Sequence, residues 1–102
     1  MNPLADPVAN QLVLRARVQE LAAIRYTPAG LPALDLMLTH ESQVEEAGAR
    51  RKVALDIKAV AVGEIVKRVQ ALGLMEEAVF TGFLSAQRQG RGTVFHITGL
   101  VH

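Results

Sequence analysis

The residues able to do chemistry in this sequence are few, and their spacing favours contact with charge over bond-making. The 3 histidines, His40, His96 and His102, fall on separate elements or at the chain end. None has a neighbour at the spacing of a paired metal ligand. His40 stands beside Glu41, but acid–base catalysis needs a third converging group, and the sequence offers none that can be identified. Gly90-Arg91-Gly92 follows no strand-to-helix junction and lacks the lysine–serine/threonine ending of a phosphate loop, so it reads as a hairpin turn. There is no cysteine, which excludes disulfides, thiol catalysis and cysteine-ligated zinc and fits a reducing cytoplasm. The expectation is a chain with no catalytic residue, no metal and no cofactor.

The basic residues are more informative. Arg50, Arg51 and Lys52 fall together in one charged stretch, Glu45 to Lys52, which reads as a hairpin loop. Arg88 and Arg91 fall in a second, the glycine-rich turn Gln87 to Gly92. Arg15 and Arg17 alternate with apolar residues. Arginine in such places pairs with phosphates and stacks on bases. The acids Glu45 and Glu46 weaken the first cluster. Aromatic platforms are scarce: Phe80 and Phe95 have core parity, Phe83 has the opposite parity and is expected to be exposed or in a subunit contact, and Tyr26, read as part of the first turn, Tyr26 to Pro32, is placed to stack on a base or to pack the turn. Binding led by phosphate contact rather than stacking is expected.

The elements that must position these residues can be read from periodicity. Leu12, Leu14, Ala16 and Val18 alternate with Val13, Arg15, Arg17 and Gln19, a half-buried strand with arginines outward. Pro28-Ala29-Gly30 makes a turn. Leu34 to Glu41 and Val53 to Ala59 are two further strands. From Gly63 to Leu72 the period changes: Ile65, Val66, Val69 and Leu72 share one helical face, and Gly73 is placed to cap it. Ala78 to Leu84 and Thr93 to Val101 complete the series. The order predicts an all-β fold, a five-stranded OB-fold Greek-key barrel with one short helix between strands 3 and 4. In that fold both charged loops flank one face of the sheet. Residues 1–9, with Pro3 and Pro7, read as a flexible leader, and residues 10–102 as a single OB-fold domain.

Length and composition agree. With 102 residues, half of them hydrophobic, the chain suits one compact core. A formal charge of +1 means that any basic surface must be local. No apolar run reaches the roughly 20 residues of a membrane helix, and Met1 to Pro7 shows no secretory signal pattern.

Several segments, in order and spacing, resemble one known family. They are Asn10-Gln11-Leu12-Val13-Leu14, Thr27-Pro28-Ala29-Gly30-Leu31-Pro32, Leu38-Thr39-His40-Glu41-Ser42, Glu45-Glu46-Ala47-Gly48 and Val79-Phe80-Thr81-Gly82-Phe83-Leu84-Ser85. They resemble the primosomal replication protein N (PriB) family, a relative of bacterial single-stranded-DNA-binding proteins (SSB). The resemblance runs from about Asn10 to the end. It implies a non-enzymatic, cytoplasmic homodimer of OB folds that takes part in replication restart. It further implies binding to single-stranded DNA and to the PriA helicase, with handover involving DnaT in some bacteria. Where the family's DNA face can carry aromatics, the matching positions are Ala49 and Ala54. The alternatives are a protein-interaction OB module with weak DNA binding and a truncated SSB-like protein. The nucleic-acid contacts expected are Arg15, Arg17, Tyr26, Arg50, Arg51, Lys52, Arg88 and Arg91.

Overall fold

The computed structural model describes residues 9–102; the expected leader lies, but for Ala9, outside them. The elements are β1 (Leu12–Leu21), β2 (Arg25–Tyr26), β3 (Pro32–Glu46), β4 (Ala49–Val62), α1 (Ile65–Leu72), β5 (Glu77–Ala86) and β6 (Thr93–Val101). Hydrogen-bonded neighbours run β1-β5-β6-β4-β3-β2, and a further pairing of β1 with β3 closes five of the strands into a barrel. β4 and β6 pair in parallel and every other pairing is antiparallel. This is the OB architecture expected from the element order.

Alternation decides which residues fill the barrel. On β1, Ala16 and Val18 are buried while Val13, Arg15, Arg17 and Gln19 are exposed. Leu34, Leu36 and Leu38 from β3, Phe80 from β5 and Phe95 and Ile97 from β6 complete the interior. Val66, Val69 and Leu72 of α1 close one end. Each such side chain contributes roughly 1.5–3 kcal/mol by leaving water. The helix begins at Ile65 rather than Gly63, because Gly63 takes a φ of 86° and its N–H donates to the Pro32 carbonyl, still serving the sheet. Gly73 follows the last helical residue and its N–H donates to the Val69 carbonyl, as a cap.

Two corrections concern the connections. Tyr26 is part of a two-residue strand, β2, paired with Ala33 and Pro32, and not of the turn itself. The turn is Thr27 to Gly30, closed by the Gly30 N–H donating to the Thr27 carbonyl. The stretch Glu45 to Lys52 is not a loop. β3 and β4 stay paired up to Glu46↔Ala49, leaving only Ala47-Gly48 as the turn. Both residues have positive φ, 53° and 80°, the requirement of a two-residue hairpin turn, which glycine meets without strain. β3 parts from β1 after Thr39, and β4 meets β6 only from Ala59. The paired strands beyond form an arm that leaves the barrel.

Candidate nucleic-acid interface

Register assigns each basic residue to a face. Across β3 and β4 the pairs Asp35↔Val60, Met37↔Lys58, Thr39↔Asp56, Glu41↔Ala54, Gln43↔Lys52 and Glu45↔Arg50 share the outer face. The pairs Leu38↔Ile57, His40↔Leu55, Ser42↔Val53 and Val44↔Arg51 share the other. Arg50 and Lys52 therefore stand in line with Lys58. Arg51 points the opposite way and bonds Glu46. The expected cluster of three is split by the pleat.

That outer face leads into a groove of about 640 Å³. Met37, Lys58, Val60 and His96 line it from the sheet, Glu20 to Ala22 and Arg25 from the β1 end and the segment after it, and Gln87, Arg88 and Gln89 from the β5–β6 loop. With the side-chain amide of Gln87 oriented to satisfy its neighbours, its oxygen accepts from Lys58 Nζ at 3.1 Å. The structure thus brings Arg88 into one groove lining with Lys58, a residue that the sequence reading left out. Its signal was there: Lys58 shares parity with Lys52 and Arg50. Arg91 lies in the same loop but not in the groove lining.

The other expected contacts lie outside that groove. Arg15 and Arg17 are both 3.6 Å from the Glu77 carboxylate; Arg17 pairs with Thr39, and the two arginines line a second depression with Thr39 and Glu41, bordering the outer face across β3 from Lys58. Tyr26 is 70% exposed, but strand alternation turns it away from Arg25, the residue of β2 that lines the groove. Arg25 clamps Asp35 through two bonds, Nε to Oδ2 at 2.7 Å and Nη2 to Oδ1 at 3.0 Å. The arginine's hydrogen bonds hold the Asp35 carboxyl below its ordinary pKa and the carboxylate raises that of Arg25 in return. Among the described residues, Arg50, Lys52, Lys58, Arg88 and Arg91 have no carboxylate within salt-bridge distance.

Two polar details hold the frame. Asn10 donates through Nδ2 to the Leu84 carbonyl at 2.8 Å and accepts from the Leu84 N–H at 3.0 Å, so its side chain prolongs the β1–β5 ladder. His40 donates from Nδ1 to the Arg15 carbonyl at 2.6 Å, where β1 and β3 separate; its Nε2 is 2.8 Å from the Ser42 hydroxyl. His40 thus bridges strands. A third contact, this one aromatic, is a cross-strand stack of Phe83 on His96, with ring centroids 4.7 Å apart. Among the described residues, no group of three or more potential metal-binding side chains occurs, and no helix is long and apolar enough to cross a membrane.

A five-stranded barrel with a helix plug and a basic-edged groove between its face and a loop defines a protein of the single-strand-binding OB class. A family model described as another single-strand binding protein family matches residues 10–99. The replication restart protein PriB of Bordetella pertussis is 50% identical over 80 residues, covering 78% of this chain and 75% of that protein. The PriB of Nitrosomonas europaea is 31% identical over 102 residues, covering 95% and 94%. The solved structure of PriB from Ralstonia solanacearum superposes with a TM-score of 0.83 at 34% identity, over 91% of this chain and 96% of that one. The chain belongs to the replication restart protein PriB family.

Proposed function

We propose that this chain is a non-catalytic replication-restart accessory of the cytoplasm that binds single-stranded DNA across the outer face of β3 and β4 and in the groove beside it. The observation that carries the reading is the line of cations that form no ion pair among the described residues: Arg50 and Lys52 on the arm, Lys58 on the barrel and Arg88 on the β5–β6 loop. A sugar–phosphate backbone laid along them releases counterions at each contact. Arg91 would reach the strand from the outer part of its loop. Arg15 and Arg17, sharing Glu77, and Arg51, bonded to Glu46, are contributors only if those ion pairs open. Tyr26 would meet DNA only if the strand wraps past the barrel end.

Membership of the family supports further partners: the PriA helicase, and DnaT where that protein is present. It also supports a homodimer. β1 pairs with β3 only from Arg17 onward, and the Arg15 carbonyl is taken by His40, so among the described residues Leu12 to Leu14 carry one free strand edge, with Val13 at 66% exposure. A second copy adding its own strand would cover both.

A second reading is favoured by the acids on the same face, Glu41, Glu45 and Asp56. They dilute its positive charge and suit an interaction module that meets the helicase first and DNA weakly. Fluorescence anisotropy with a labelled oligothymidylate, over a salt series and with or without PriA, separates the two. Steep weakening with salt supports direct DNA binding. Capture of the strand only when PriA is present supports the second reading.

A further inference from the structure

His96 on β6 lies directly across from Phe83 on β5, and the two rings are stacked with an interplanar angle of 9°. On its other side β6 runs parallel to β4, which sets His96 opposite Val60. The imidazole lines the groove together with Val60, Lys58 and Arg88, whereas Phe83 lies outside that lining. A flat ring, backed by a second flat ring, therefore stands in a groove whose lining also carries Lys58 and Arg88, together with Glu20 and the paired Arg25 and Asp35. The backing matters, because a side chain already held by a neighbour loses little rotamer freedom when a ligand settles on it.

We propose that the Phe83–His96 pair is a base-stacking platform: one nucleobase of a bound single strand lies on the imidazole of His96, and Phe83 holds that ring in place. This rests on the DNA-binding reading above and adds a base contact that phosphate pairing does not supply. The surroundings select a nucleotide over a purely apolar ligand. A base on His96 leaves its phosphates free to meet Lys58 and Arg88, whereas an apolar occupant would bury both cations without a counter-charge. Stacking on a ring tolerates every base.

The test compares an oligothymidylate with a strand of equal length in which abasic sugars replace the nucleotides. Stacking lost by alanine substitution weakens binding about five-fold or more. His96→Ala and His96→Gln are expected to weaken the oligothymidylate complex to that extent and to leave binding of the abasic strand unchanged. His96→Phe is expected to recover most of the loss. Circular dichroism confirms the fold of each variant, and Gln, close in size and polarity to His, serves if Ala disturbs the sheet. Parent-like binding by both ring-less variants, or equal losses on the two strands, overturns the platform. If Lys58→Ala with Arg88→Ala weakens binding while the His96 variants do not, the platform falls and the phosphate reading stands. If the parent binds no single strand, both fall.

Discussion

Asp35 and Arg25 form the best-made ion pair in the groove wall, a two-pronged clamp between half-exposed side chains. Folding lowers the Asp35 pKa, because Arg25 hydrogen-bonds its charged form. The pair therefore adds its full stability above the unfolded carboxylate value of about 3.9 and loses it as pH falls through the lower folded value. Asp35→Asn is expected to cost no more than about 1 kcal/mol at neutral pH, since exposed pairs are screened by solvent. It should also make urea unfolding less sensitive to pH below 4; an unchanged acid limb would assign the acid sensitivity to other carboxylates. Gly82 is a different residue-scale constraint. A Cβ there would sit 1.8 Å from the His96 carbonyl oxygen, at the irregularity in the β5–β6 register. Gly82→Ala forces backbone to move, so a loss of about 3 kcal/mol or more is expected in chemical denaturation.

The arm is the element whose behaviour depends least on the barrel. Beyond Thr39 on β3 and before Ala59 on β4 its strands pair mainly with each other, and its ladder is held at the tip by a two-residue turn. Ala47 occupies the left-handed region there, where alanine is disfavoured and asparagine tolerated. Ala47→Asn is expected to slow amide exchange in the arm by up to about five-fold, corresponding to about 1 kcal/mol of relieved strain, with little change in the global melting temperature. Equal stabilisation of barrel and arm would show that the two open together. Arg50 and Lys52 ride on this element, so its order governs whether those cations point along one face.

At the scale of the whole molecule, the salt dependence of DNA binding reports how many cations touch phosphate. Each contact contributes about 0.7 to the slope for a single strand. Lys58→Ala combined with Arg88→Ala is expected to weaken binding to all sequences alike and to lower the slope by about 1.4. A double variant that folds and keeps the parent's affinity and slope would remove the groove from the DNA path. The homodimer reading makes its own demand: Val13→Pro should block strand addition at the free β1 edge and shift sedimentation towards monomer. A parent already monomeric at micromolar concentration would contradict it.

The barrel was legible in the sequence because its information is local. A period of two, one switch to a period of 3.6 and a Pro-Ala-Gly turn are properties of neighbouring residues, and burial of Leu34, Leu38, Phe80 and Phe95 follows from parity. The absence of a charged break between β3 and β4 was not legible. Glu45 to Lys52 looks like a loop by composition, yet a two-residue turn lets strands carry charge to the tip when both faces are in solvent. The family resemblance found the class of molecule but could not align its cations. Whether Arg51 joins Arg50, whether Lys58 shares a groove with Arg88, and whether Phe83 meets His96 are questions of register between strands distant in sequence. Cross-strand pairing and barrel closure decide them, and a slip of one residue would send each side chain to the opposite face.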